Sequence, residues 1–175
     1  MTSIIEPYFH RSWRVKPGQD ADFPFVPCEN KPYEGLVLKG CRKMTIISDL
    51  PPQLKVLIVF SCSELERITC LPPYLKILCL FDNKNLCELP KMSNLYSLDA
   101  VSILGCPNLS LGYKPYPPAL KELEIEMRPG FDFSQLPPNL WSCVMTLPFW
   151  GRTGCRVGRV LKSQDSGLSG QFWID

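Results

Sequence analysis

Apolar residues recur along this chain in a single frame, clearest between Leu54 and Pro90. Leu54, Leu57, Val59, Cys62, Leu65 and Ile68 align with Leu75, Leu78, Leu80, Asn83, Leu86 and Leu89, each pair 21 residues apart. Upstream, Tyr33, Leu36, Leu38, Cys41, Met44 and Ile47 fill the same slots and close on Leu50-Pro51-Pro52. Downstream, Leu98, Val101, Ile103, Cys106 and Leu109 form a fourth unit ending at Pro117-Pro118. A fifth holds Leu120, Leu123 and Ile125 and ends at Leu136-Pro137-Pro138; a degenerate sixth starts Leu140, Cys143, Met145. First positions at 33, 54, 75, 98, 120 and 140 give periods of 21, 21, 23, 22 and 20. A fixed period outranks local propensity, because each unit buries its apolar side only against its neighbours.

Within a unit the L-x-L core alternates with period two. That predicts a short strand with two apolar side chains inward and its flanking residues on the opposite face. The Leu-Pro-Pro return is not helical, since proline lacks a donor and holds its predecessor extended.

The spacing L-x-x-L-x-L-x-x-N/C-x-x-L resembles the leucine-rich repeat. The resemblance covers residues 33–150, about two-thirds of the chain. It implies a repeat solenoid, a leucine-rich-repeat horseshoe with a short-stranded parallel sheet, little α-helix and an extended or 3₁₀ convex side. In the family, the N/C side chain bonds backbone groups that the turn leaves unpaired. The phrasing LPPxLKxL resembles the short repeats of bacterial effectors that act inside host cells. Gly105-Cys106-Pro107-Asn108-Leu109 is similar to the irregular repeats of plant intracellular immune receptors, and large DNA viruses of protists carry such repeats too.

At 175 residues the length suits one domain, read as an arm or cap at 1–32, repeats at 33–150 and a cap or tail at 151–175. Phe9, Trp13, Phe23 and Phe25 make the first segment aromatic, as expected of a unit that covers the end of a solenoid core; the sharper alternative is a docking arm. Val157 to Leu161 and Gln171 to Ile174 suggest a C-terminal hairpin. A net charge of +2 gives no bulk attraction for nucleic acid or membrane. No run approaches the roughly 20 apolar residues of a membrane span. The first residues lack a basic start before an apolar run, so no signal peptide is expected and the location reads as intracellular: cytoplasm, host cytosol or virion.

Little catalytic chemistry is spelled out. Cys41, Cys62 and Cys106 occupy the N/C slot, which accounts for them structurally. There is no C-x-x-C, and a zinc site needs four converging ligands, so no metal is expected. The single histidine, His10, would have to serve any nucleophile as base, and nothing pairs with it. The bacterial effectors often carry a separate ubiquitin-ligase domain with a catalytic C-x-D. Cys28 precedes Glu29-Asn30 and Cys155 precedes Arg156-Val157, so that motif is missing. The glycines from Gly151 do not spell a phosphate loop, and Arg152, Arg156, Arg159 and Lys162 read as a solvated edge rather than a phosphate site. The reading is no enzyme and no cofactor.

The outward strand positions are the more informative set. Unit one contributes Gly35, Val37 and Lys39, unit two Val56, Ile58 and Phe60, unit three Ile77, Cys79 and Phe81. Unit four contributes Ala100, Ser102 and Leu104, and unit five the acids Glu122, Glu124 and Glu126. Monomers rarely leave an apolar patch of this size in water. Its cover is either a protein partner or the chain's own terminal aromatics. The expected function is non-enzymatic protein binding on this concave face, within a hetero-complex such as a virion or organellar assembly. An effector or receptor-like recognition module is the alternative, and an enzyme using the non-repeat ends is the rival from another class.

Overall fold

The computed structural model describes residues 34–109, 116–126, 137 and 140, together with the backbone of strands at 12–15, 142–146 and 156–160. In chain order the strands are β1 (Ser12–Val15), β2 (Gly35–Lys39), β3 (Ile46–Ile47), β4 (Val56–Phe60) and β5 (Arg67–Ile68). They continue with β6 (Ile77–Phe81), β7 (Ala100–Leu104), β8 (Glu122–Glu126), β9 (Ser142–Thr146) and β10 (Arg156–Val160). Eight of them form one sheet in the order β1-β2-β4-β6-β7-β8-β9-β10. Neighbours pair in parallel from β1 to β9, and β10 alone runs antiparallel. The described residues contain no helix. The chain is a repeat solenoid of stacked coils, each laying one strand beside the last.

Register follows the sequence frame. Leu36, Leu57, Leu78, Val101, Leu123 and Cys143 stand in one rung, with Leu38, Val59, Leu80, Ile103, Ile125 and Met145 in another. The weak sixth unit is therefore a true member. From Leu36 to Ile125 these inward residues are buried in a single core with Leu54, Leu75, Leu98, Leu120 and Leu140.

Two kinds of β-turn bend the coils. At the Pro-Pro returns, the amides of Leu54, Leu75, Leu120 and Leu140 donate to the carbonyls of Pro51, Pro72, Pro117 and Pro137. Proline at the second turn position has its φ already set for this geometry. Beyond the strands, the amides of Leu65, Leu86 and Leu109 donate to the carbonyls of Cys62, Asn83 and Cys106. Between the turns the chain runs extended, and β3 pairs in parallel with β5 in a small second sheet. Extended backbone was expected on this side; its 3₁₀ alternative does not occur among the described residues.

Three features lay outside the sequence frame. β1 pairs in parallel with β2, setting Trp13 opposite Leu36 and Val15 opposite Leu38, so strand pairing begins before residue 33. β10 pairs with β9, whereas the sequence suggested a hairpin with 171–174, which lie outside the described residues. A left-handed residue ends four successive strands: Gly40 (φ 67°), Ser61 (53°), Asp82 (53°) and Gly105 (66°). It turns the chain inward while the amides of Gly40, Ser61 and Asp82 still donate to Phe60, Phe81 and Leu104.

Candidate protein-binding face

The N/C slot fixes where each strand ends. Asn83 is fully buried, its Oδ1 accepting from the Cys62 amide and its Nδ2 donating to the Val59 carbonyl, both at 3.0 Å. The cysteines in this column act as weaker donors: Cys62 Sγ reaches the Phe60 carbonyl at 3.7 Å, and Cys106 Sγ the Leu104 carbonyl at 3.6 Å. Cys41, Cys62 and Cys106 are buried free thiols. Hydrogen bonding with Cys41, then burial, pushes the Cys62 thiol up; burial pushes Cys106 up. This raises the cost of forming a thiolate, the reactive form, and fits a structural role.

With strand ends fixed, register sorts the far face of the sheet, the one turned from the main core, into three rows. The lower row is Gly35, Val56, Ile77, Ala100 and Glu122; the middle row is Val37, Ile58, Cys79, Ser102 and Glu124. The upper row runs Lys39, Phe60, Phe81, Leu104, with Glu126 in the equivalent slot of β8.

The expectation of an open apolar face fails at its centre. Cys79 and Ser102 are 0% exposed, Val56 1%, Ile77 3%, Ala100 4% and Ile58 8%. All of these but Ser102 form a second apolar cluster, with Val37 and Phe81 packed against it. The physical reason is that alternation along a strand separates two faces without deciding which of them meets water; at the ends of these rows Val37, Glu122 and Glu124 are half-buried. Burial, with the Glu124 carboxylate adding to it, pushes the Cys79 thiol up to about 12.

The acid ladder is also partly consumed. Ser102 Oγ donates to Glu124 Oε2 at 2.8 Å, and the Gly105 amide donates to Glu126 Oε1 at 2.7 Å. Of the three acids, Glu122 alone makes no such bond among the described residues. The ladder therefore does more to anchor β7 to β8 than to present free charge.

What stays half-exposed is the upper row. Phe60 and Phe81 sit with ring centroids 6.2 Å apart and planes at 56°, and Lys39 Nζ lies 5.4 Å from the Phe60 centroid. Leu104 is half-exposed beside them. The sequence reading placed Lys39 on this face but not in the site; the signal available was its slot, level with Phe60. The described residues hold no group of three or more His, Cys, Asp or Glu able to bind a metal ion, and no helix long and apolar enough to cross a membrane. His10 and residues 161–175, including Lys162, lie outside the described residues.

No family model matches the chain, and neither any curated protein nor any solved structure does.

Proposed function

We propose that the chain is a leucine-rich-repeat horseshoe that works by non-enzymatic protein binding, with its contact row at Lys39, Phe60, Phe81 and Leu104. The observation that carries this reading is the half-exposed pair Phe60–Phe81 at matched slots of adjacent strands. The main core is completed by Val59 and Leu80 one residue earlier, so it does not call for a ring at either place. Aromatic anchors of this kind contribute about 2 kcal/mol or more each at an interface. Lys39 beyond one end and Glu126 beyond the other give the row a charge polarity that would orient a partner. The Asn83 bonds to Cys62 and Val59 support the repeat type.

The partner is a protein with an apolar ridge flanked by opposite charges, and the setting is an intracellular hetero-complex in which this chain is a structural component. A second reading, a recognition module of the effector or receptor kind, is favoured by the LPPxLKxL phrasing. Affinity capture with mass spectrometry tests both, because it identifies the partner. Phe60→Ala with Phe81→Ala should abolish capture and leave the thermal midpoint nearly unchanged. Capture at the wild-type level by the folded double variant excludes this row, and unfolding of that variant makes the rings core.

A further inference from the structure

Lys39, Phe60, Phe81 and Leu104 belong to four strands paired in register, so their row runs along the stack and not along any strand. It is one side chain wide: Ile58, Cys79 and Ser102 beneath it are buried, whereas Phe60, Phe81 and Leu104 are half-exposed. The backbone beside the row is already paired. The carbonyls of Phe60, Phe81 and Leu104 accept from the amides of Gly40, Ser61 and Asp82. The amides that follow are taken too, that of Cys62 by Asn83 and that of Gly105 by Glu126.

We propose that the partner meets this row with one amphipathic helix, laid along the stack with its C-terminal end at Lys39. The proposal rests on the binding reading above and names the element of the partner that fits it. Three arguments choose a helix and its direction. A segment brought onto the row loses water from its own backbone and finds no free backbone group in exchange; a helix satisfies those groups internally, whereas an extended segment does not. Spacing agrees. From Phe60 to Leu104 there are two strand intervals, about 9.6 Å. Helix residues facing one way recur about every 5.4 Å and drift by about 1.2 Å over that length. Those of an extended chain recur about every 6.8 Å and drift by about 4 Å. Charge sets the direction. Lys39 is exposed at one end, its Nζ 5.4 Å from the Phe60 centroid, and the half-exposed Glu126 stands at the other. A helix is negative at its C-terminus and positive at its N-terminus, so its C-terminal end belongs over Lys39.

Photo-crosslinking measures both the helix and its direction. Full-length chains bearing p-benzoylphenylalanine in place of Phe60 or of Leu104 are irradiated in extract of the source cells, and the adducts are mapped by mass spectrometry. Both adducts should fall in one segment of one protein, about six to seven residues apart at 1.5 Å per residue. The adduct from place 60 should lie nearer the C-terminus of that segment. Adducts about three residues apart, as an extended segment would give, overturn the helix and leave the binding row standing. Reversed order, or adducts in two unconnected segments, overturns the proposal in the same way. Capture without an adduct at either place, or no capture at all, overturns the row itself and the binding reading with it. Should either replacement unfold the chain, place 81 takes its part. The separation across one interval is then about three residues for a helix and one or two for an extended segment.

Discussion

Asn83→Ala isolates what the N/C column contributes. Asn83 is 0% exposed and bridges units two and three, accepting from the Cys62 amide and donating to the Val59 carbonyl. Alanine would leave the buried Cys62 amide without this acceptor, which costs about 1–3 kcal/mol. The lost bond to Val59 adds about 0.5–1.5 kcal/mol. The expected destabilisation is therefore about 2–4 kcal/mol, or a midpoint lowered by roughly 5–15 °C at this chain length. Urea unfolding followed by far-UV circular dichroism measures it, with the slope unchanged if only stability moves. Asn83→Asp separates the two bonds. Its carboxylate keeps the acceptor but would face the Val59 carbonyl while buried, so its folded pKa should rise above the unfolded value of about 3.9. A raised acid pKa gives stability that is present below about pH 4 and lost as pH rises through the folded value. Asn83→Asp should thus be less damaging at pH 4 than at pH 7, relative to wild type at each pH. A loss of less than about 0.5 kcal/mol for Asn83→Ala, with no pH dependence for Asn83→Asp, would refute the role given to this bridge.

Leu78→Ala, at a fully buried rung of the core, should cost about 2–5 kcal/mol in the same urea assay. Gly105→Ala should destabilise by about 1–3 kcal/mol, because φ is positive there and a Cβ would strike the Asp82 carboxylate and backbone. Ser61→Gly, at an equivalent left-handed position, should instead raise the thermal midpoint slightly, by relief of about 1 kcal/mol of strain. Native alkylation should modify the exposed Cys70 and Cys87 quickly and spare Cys41, Cys62 and Cys106; rapid labelling of Cys62 is incompatible with a buried column.

Most of the fold was legible because burial in a solenoid is written as a period. Leu54 and Leu75, Leu57 and Leu78, Cys62 and Asn83 occupy equivalent places, and each is buried as the frame requires. The strand at Ser12–Val15 was not legible, since Trp13 and Val15 are only two positions of the frame and no N/C residue follows at the expected distance. The left-handed residues were hidden for a related reason. Gly40 and Gly105 are glycines, but Ser61 and Asp82 take the same conformation with side chains that give no period to count.

The far face was legible in its membership but not in its exposure, which the sequence left open. Alternation assigned Val56, Ile58, Ile77, Cys79 and Ser102 to one side of the sheet, and the register agrees. Alternation separates two faces; it does not say which of them meets water. The centre of this face carries small residues, Cys79, Ala100 and Ser102. A face built to meet a separate partner would concentrate large side chains there, because those contribute most per residue buried. On this chain the large rings stand at the upper edge, at Phe60 and Phe81, next to the one exposed cation of the row, Lys39. The aromatic rim with Lys39 beside it is thus the physical ground for setting the proposed contact row at the upper edge of this face rather than at its centre.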